Sequence, residues 1–209
     1  MRIAVFGASG RTGHHLIRQA LDSGHRVTGV VRNASRVQIS DDRLDVVETD
    51  IFDPEAVAPA IGGCDAVASA LGGTSPKAPP VCQPGARSIM QAMTATGVKR
   101  LVVVSNSAHT AERGDTVPRR LVQLILGQIL RAPFEDLKRM EHDVRESSLD
   151  WTILRPARMT DGPRTGRYRL AIGQHVPNGW SISRADVADA ILRVLTDDGT
   201  VRNFVGQAY

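Results

Sequence analysis

Short apolar runs alternate with amphipathic stretches along the chain, and this pattern predicts strands that alternate with helices. The predicted strands are Ile3–Phe6, Arg26–Val31, Leu44–Asp50, Asp65–Ala70, Lys99–Ser105, Trp151–Arg155 and Val201–Val205. The fifth run is apolar at consecutive positions, as expected of a parallel strand buried on both faces. The sequence therefore predicts an α/β fold with a doubly wound, mostly parallel sheet and helices on both faces, formed by residues 1–209 as a single domain.

Capping residues place the predicted helices between these strands. Asp53 and Pro54 are residue types preferred at a helix N-cap and first turn, and Ser183 with Asp186 has the pattern of an N-cap and its third helical residue. The predicted helices cover about 12–22, a short segment from 54, 83–96, 121–130, 134–147 and 184–195. The helix at 121–130 is apolar on two faces, so it is either buried or shared with a partner, a lid or a substrate.

The segment that directly follows the first apolar run is the most informative part of the sequence. It reads Gly7-Ala8-Ser9-Gly10-Arg11-Thr12-Gly13. In such a turn Gly7 permits a sharp bend, Gly10 permits close approach of a diphosphate, and Gly13 permits tight packing of the helix on the strand. The free N–H groups at the start of the helix favour an anion. We therefore expect a dinucleotide to bind at Gly7, Ser9, Gly10, Arg11, Thr12 and Gly13.

A mononucleotide-binding phosphate loop does not fit the same segment. That motif needs a second glycine five residues after the first, then lysine, then serine or threonine. Those positions hold Thr12, Gly13 and His14.

The residues after the second strand predict a preference for NADP(H) over NAD(H). NAD-binding proteins usually have Asp or Glu there to hold the ribose hydroxyls. No acidic residue occurs between Ser23 and Ser40, whereas Arg32 and Arg36 both lie in this interval. Guanidinium groups form paired, charge-assisted hydrogen bonds with phosphate, which suits the 2′-phosphate of NADP(H). Ordinary surface arginines are the alternative explanation.

Composition narrows the classes of partner. The net charge is +4, but the basic residues are scattered and the aromatic residues are few, so we expect no nucleic-acid partner. Neither Cys64 with Cys82 nor the histidines have the spacing of metal ligands, so we expect no metal. No apolar run is long enough to cross a bilayer and the chain begins with a strand, so we expect a cytoplasmic protein without a membrane partner. The sequence is compatible with a monomer or a homodimer.

Several motifs together resemble the atypical short-chain dehydrogenases/reductases, and more closely the biliverdin reductase B/flavin reductase and NmrA-like group. The resemblance extends over nearly the whole chain. It rests on Phe6–Gly13, Val30–Asn33, Asp50–Asp53, Gly85–Arg87, Trp151–Pro156 and Ile182–Ala188. It implies a Rossmann fold with an NAD(P)(H) cofactor across the carboxyl ends of the strands.

The resemblance also implies roles for individual residues. On the adenosine side, Asp50 and Ile51 would flank the adenine, and Ala70, Leu71 and Gly72 would line the ribose and phosphates. On the nicotinamide side, the backbone at Pro156 would contact the carboxamide and Lys138 the ribose. The loops at about 106–132 and 156–182 would face a small-molecule substrate, with Arg158 and Tyr168 as binding residues.

The chain departs from the short-chain pattern at the catalytic Tyr and Lys pair. The matching stretch runs from Phe134 to Lys138, and a phenylalanine has no proton to donate. The resemblance places the catalytic serine at Ser105 or Ser107. Ser107 matches the flavin reductase-like pattern better, and Ser105 is expected to contact the cofactor. His109 is the best-placed titratable group for proton delivery. Serines that bond backbone at a strand end, and a surface histidine, would account for the same residues.

These observations predict an NADPH-dependent reductase whose acceptor is conjugated, such as a flavin or a quinone. Two other functions remain open. A dinucleotide sensor without catalytic activity would explain the missing tyrosine and the two-faced helix. An isomerase or epimerase that retains its nucleotide would share the cofactor motifs.

Overall fold

The computed structural model describes residues 1–73, 75, 78–107 and 131–209. The strands in these residues are β1 (Arg2–Phe6), β2 (Arg26–Val31), β3 (Leu44–Glu48), β4 (Ala66–Ser69), β5 (Arg100–Val104), β6 (Asp150–Pro156), β7 (Arg158–Thr160), β8 (Arg169–Ile172), β9 (Ser181–Ser183) and β10 (Asn203–Ala208). The α-helices are α1 (Arg11–Asp22), α2 (Pro54–Ile61), α3 (Cys82–Thr96), α4 (Arg131–Glu146) and α5 (Arg184–Leu195).

Eight strands form one sheet in the order β3-β2-β1-β4-β5-β6-β10-β8. All neighbouring strands are parallel except β8, which is antiparallel to β10. The strands β7 and β9 form a separate parallel pair. The order reverses between β1 and β4, which is the position where doubly wound sheets bind their ligands. The predicted doubly wound, mostly parallel sheet is confirmed.

Alternate residues of each central strand pack against different helix layers. In β1, Ile3 and Val5 are buried in the cluster that contains α1 and α5. Ala4 and Phe6 are buried in the cluster that contains α2, α3 and α4. Successive side chains of a strand point to opposite faces, so a strand covered on both faces must be apolar at every position.

Three of the predicted helix ends are confirmed by their local geometry, whereas α4 begins at Arg131, three residues before the predicted start. The carboxylate of Asp53 accepts the N–H groups of Glu55 at 2.9 Å and Ala56 at 3.4 Å, and it caps α2. The hydroxyl of Ser183 accepts the N–H of Asp186 at 3.0 Å and caps α5. At the end of α3, Gly97 has a φ of +76°, the left-handed conformation that terminates many helices.

Two predicted strands have wrong bounds, Leu44–Asp50 at its end and Val201–Val205 at both ends. The strand β3 ends at Glu48 because the carboxylate of Asp50 accepts the N–H of Phe52 at 2.9 Å and turns the chain. The strand β10 starts at Asn203 because Arg202, with a φ of +56°, is in a left-handed turn. The apolar pattern did not indicate β7, β8 or β9. The predicted helix at 121–130 and the basic loop before it lie outside the described residues.

Candidate cofactor and acceptor clefts

Two clefts meet at the carboxyl ends of β1 and β4. The smaller encloses about 140 Å³ and the larger about 460 Å³. Both are lined by Gly10, Ala70, Leu71 and Gly72, so they form one continuous groove. This groove lies where the strand order reverses.

The glycine turn has the geometry that the sequence predicts. Gly7 has a φ of +75°, and a Cβ atom there would lie 2.6 Å from the carbonyl oxygen of Ala70. A Cβ atom on Gly13 would collide with the carbonyl oxygen of Gly7. The turn therefore requires glycine at both positions, one for its conformation and the other for the contact between helix and strand.

The amino terminus of α1 differs from those of α2, α3 and α5. Asp53 caps α2 and Ser183 caps α5. The carboxylate of Asp136, on α4, serves α3 by accepting the N–H of Cys82 at 2.9 Å. The N-cap of α1 is Gly10, to which no side chain of the described residues supplies a capping hydrogen bond, and the first turn of α1 contains no acidic residue. The start of α1 therefore suits a diphosphate, because its free N–H groups and the helix dipole both favour an anion.

The smaller cleft contains one of the two residues predicted to flank the adenine, together with residues of the glycine turn. Ile51, Gly7 and Ser9 line it. Arg32 and Arg36 also line it, and among the described residues neither forms a salt bridge with a carboxylate. The nearby carboxylate of Glu48 instead accepts the backbone N–H of Ala34 at 2.8 Å. Two exposed guanidinium groups at one end of a groove make a suitable environment for a phosphate.

The larger cleft contains a buried hydroxyl group from Ser105, at the carboxyl end of β5. Ser105 is 3 % exposed, lines the cleft, and its Oγ has no hydrogen-bond partner in the part of the chain that is described. A buried polar atom without a partner costs about 1–3 kcal/mol, so such an atom beside a cleft indicates a ligand contact.

The carboxylate of Asp136 and the thiol of Cys82, which also line the larger cleft, are not available as acid, base or nucleophile. The carboxylate of Asp136 accepts the backbone N–H groups of Val81, Cys82 and Gln83 at 2.9–3.0 Å. Burial, together with the charge of Asp136, raises the pKa of the Cys82 thiol to about 12. Cys82 is therefore a neutral thiol at physiological pH, and Asp136 is committed to the start of α3.

At the rim of the larger cleft, two arginines bond the same carboxylate. Arg11, at the start of α1, and Arg184, at the start of α5, both line the cleft. The carboxylate of Asp161 accepts Arg11 Nη1 at 2.8 Å and Arg184 Nη1 at 2.7 Å. Thr12 lines the same cleft, so the predicted residues Arg11 and Thr12 lie on the larger side of the shared groove.

Several predicted residues do not line either cleft. Asp50 holds the turn at Phe52. Ser107 is buried just beyond Ser105, and Pro156 is buried where β6 pairs with β10. Arg158 is exposed on β7. His109 lies outside the described residues.

Lys138 is also placed away from the groove. Its Nζ lies 3.3 Å from Glu135 Oε1 on the exposed side of α4, and its side chain is 51 % exposed. The neighbouring Leu137 and Asp136 line the larger cleft instead. Adjacent residues of a helix point about 100° apart, which explains why Lys138 faces solvent when its neighbours do not.

Both tyrosines of the chain are bonded to carboxylates of α5. The hydroxyl of Tyr168 donates to Asp189 Oδ2 at 2.5 Å, and that of Tyr209 donates to Asp186 Oδ2 at 2.7 Å. Burial and the bond to Asp189 raise the pKa of Tyr168 above its usual range. Tyr168 thus anchors the 161–168 segment to α5. The resemblance implies that Tyr168 binds substrate, but the structure does not place it in the larger cleft.

Sequence reasoning missed two residues that the structure brings to the larger cleft. Arg184 lies inside the Ile182–Ala188 motif and directly follows an N-cap serine, so its position at a helix start was predictable. Its neighbours in space were not, because they come from distant parts of the chain. Asp136 carried no sequence signal beyond being an acidic residue in a helix.

A model of the NAD(P)H-binding family matches residues 7–198 of the sequence. The chain belongs to this family. The NAD(P)H-binding chain is 31% identical over 208 residues to the uncharacterized protein YwnB of Bacillus subtilis, covering 94% of this chain and 92% of YwnB. It is 27% identical over 209 residues to the uncharacterized sugar epimerase YhfK of the same organism, covering 96% and 90% of the two chains.

Solved structures of the same fold include proteins with different assignments. An inferred NADH-flavin reductase from Streptococcus pneumoniae has a TM-score of 0.81 and 25% identity, with 100% of this NAD(P)H-binding chain and 99% of that chain covered. A short-chain dehydrogenase/reductase from Veillonella parvula in complex with NADP has a TM-score of 0.83 and 22% identity, with 100% and 94% covered. The second likeness concerns the fold alone.

The described residues contain neither a candidate membrane-spanning helix nor a candidate cluster of metal ligands. No helix among them is both long and apolar enough to cross a membrane. Nor do they contain a group of three or more His, Cys, Asp or Glu residues arranged to hold a metal ion.

Proposed function

We propose that this protein is an NADPH-dependent reductase that acts on a conjugated acceptor, such as a flavin or a quinone. The observation that carries the proposal is the amino terminus of α1, which no side chain in the described part of the chain caps and which lies where the two clefts join. The diphosphate of the cofactor would bind there, at Gly10 and its neighbours. The smaller cleft would hold the adenosine, and the larger cleft would hold the nicotinamide beside the acceptor.

Arg32 and Arg36 support NADPH as the preferred cofactor. Both line the end of the smaller cleft, and no carboxylate of the described residues neutralises either of them. A 2′-phosphate bound between them would gain charge-assisted hydrogen bonds that the ribose hydroxyl of NADH cannot form. The flanking Ile51 provides an apolar surface for the adenine.

The described wall of the larger cleft favours an acceptor that needs no strong acid. No tyrosine lines this part of the cleft, Cys82 has a pKa of about 12, and Asp136 is bonded to three N–H groups. When bound, a reduced nicotinamide supplies a hydride, and the acceptor takes up a proton with it. Conjugated acceptors delocalise the charge that develops, so water or a hydroxyl such as that of Ser105 suffices to orient or protonate them.

The test is to incubate the protein with NADPH and a panel of flavins and quinones, and to follow the near-ultraviolet absorbance of the reduced nicotinamide. We expect oxidation with at least one acceptor, and slower oxidation by a Ser105→Ala variant. The matched control is Ser147→Ala, a hydroxyl that bonds the carbonyl of Val144 at the end of α4. Tight binding of NADPH without turnover on any acceptor would contradict the reductase function and indicate a dinucleotide sensor. A nucleotide that copurifies and is never consumed would indicate an epimerase, the activity in the name of YhfK.

A further inference from the structure

The ion pairs at the rim of the larger cleft place two cations around one loop carboxylate. Arg11 comes from the start of α1 and Arg184 from the start of α5, and both face the cleft. Asp161, which follows β7, bonds Arg11 through Oδ2 and Arg184 through Oδ1. The two guanidinium groups are therefore close enough to bind a single anion between them.

The carboxylate of Asp161 is exposed, and only one of its two arginine partners is exposed with it. The side chain of Asp161 is 63 % exposed, that of Arg11 is 69 % exposed, and that of Arg184 is 14 % exposed. The pair with Arg11 contributes little to stability, since water screens both charges. The following residues are held separately, because Pro163 accepts the hydroxyl of Ser183 at 2.9 Å and Thr165 donates its N–H to Asp186 at 2.8 Å. The carboxylate of Asp161 can thus leave the arginines without release of this anchored segment.

The charges that line the larger cleft make it attractive to an anion. Among its described lining residues the cations are Arg11 and Arg184, and the carboxylate is Asp136. Asp136 is already bonded to the start of α3, whereas Ser105 offers a buried hydroxyl to which the described residues supply no partner. A ligand with one anionic group at the rim and one polar atom at Ser105 would satisfy both ends of the cleft.

We propose that Arg11 and Arg184 form the anion-binding site for the acceptor, and that Asp161 occupies this site until an acceptor bearing a phosphate, carboxylate or sulfonate displaces it. The inference rests on the proposed reductase function and specifies its substrate class. A phosphate monoester carries nearly two negative charges at neutral pH, and paired bonds to guanidinium groups are shorter and stronger than neutral hydrogen bonds. Such an anion therefore competes well with one exposed carboxylate.

Two pairs of probes test the proposal, because the members of each differ only in an anionic group. They are FMN against riboflavin, and 1,2-naphthoquinone-4-sulfonate against 1,2-naphthoquinone. Affinities are measured on the protein loaded with NADP⁺, by quenching of flavin fluorescence or by calorimetry, and KM values are measured with NADPH. We expect the anionic member of a pair to bind more tightly.

The variants have opposite expected effects. Arg184→Gln weakens binding of the anionic probe about tenfold or more and leaves the affinity for the neutral probe unchanged. Arg184→Lys restores part of the difference in affinity between the two probes. Asp161→Asn strengthens binding of the anionic probe by up to about fivefold, because the competing carboxylate loses its charge. Arg18→Gln is the matched control, since Arg18 is an exposed arginine on α1, two turns beyond Arg11, that lines neither cleft.

Three outcomes would overturn the proposal. They are equal affinity for the charged and neutral members of both pairs, variants that shift both members equally, and a loss confined to NADP⁺ affinity. The last would assign the arginines to the diphosphate of the cofactor. Failure of the reductase function gives a different result: the anionic probes bind, and respond to Arg184→Gln, but NADPH is not oxidised.

Discussion

The carboxylate of Asp136, on α4, accepts the backbone N–H of Cys82 at 2.9 Å and joins α4 to the first turn of α3. The same carboxylate accepts the N–H groups of Val81 and Gln83. A helix start is thus capped by a residue 54 positions further along the chain, in the wall of the larger cleft. The contact fixes the position of both helices beside the larger cleft.

Removal of this cap is expected to destabilise the protein. Asp136→Ala leaves three backbone N–H groups without their acceptor, and we expect the free energy of unfolding to fall by about 1–3 kcal/mol. Urea denaturation followed by circular dichroism measures the change. Glu135→Ala is the control, because Glu135 forms an exposed pair with Lys138 and its loss costs no more than about 0.5 kcal/mol. Equal effects of the two variants would contradict a capping role.

The two cysteines are expected to resist thiol reagents in the folded protein. Burial raises the pKa of both thiols, to about 12 for Cys82, where the charge of Asp136 adds to the effect. Reagents attack the thiolate, so at pH 8 we expect almost no reaction with a disulfide reagent such as Ellman's. Both thiols react after unfolding in guanidinium chloride. Rapid titration of Cys82 in the native protein, identified by mass spectrometry, would refute this prediction.

Asp186 is expected to make stability depend on pH in the acid range. Its burial would raise its pKa, but hydrogen bonds from Tyr209, Thr165 and the N–H of Gly166 outweigh burial and lower it. A lowered pKa in the folded state stabilises the protein above the unfolded pKa of about 4, and this contribution is lost as the pH falls through the folded pKa.

The measurement is the melting temperature of the protein and of Asp186→Asn between pH 7 and pH 3. At pH 7 we expect the variant to be less stable by about 1–3 kcal/mol, because charged hydrogen bonds are removed. The difference should narrow toward pH 3. Asp22→Asn, at the exposed end of α1, is the control. A gap between the protein and the variant that stays constant with pH would exclude this role of the charge.

Cofactor preference is expected to depend on the two arginines of the smaller cleft. Each arginine removed, by Arg32→Ala or by Arg36→Ala, should weaken NADPH binding by about ten- to a hundredfold, whereas NADH binding should weaken by about twofold at most. Isothermal calorimetry with both nucleotides measures the change. Arg26→Ala is the matched control, since Arg26 is exposed at the opposite end of β2. Equal losses of affinity for NADPH and NADH would remove the 2′-phosphate assignment.

The sequence was sufficient to predict the features that depend on neighbouring residues. The apolar runs predicted the strands because both faces of the sheet are covered, and Asp53 and Ser183 marked helix starts because their side chains reach the N–H groups two or three residues later. The glycine turn followed from its own steric demands at Gly7 and Gly13. The glycine turn that lines the smaller cleft is built from such local features.

The arrangement of side chains around the larger cleft was decided only by the tertiary structure. The pairing of Arg11 with Asp161 spans 150 positions, and the cap from Asp136 to Cys82 spans 54. Tyr168 was predicted to bind substrate, yet its hydroxyl bonds Asp189, 21 positions away on α5. The sequence by itself thus determined the elements and their nucleotide turn, because backbone geometry and short-range capping depend on nearby residues. The fold alone decided which side chains share a cleft, because that depends on how distant elements pack.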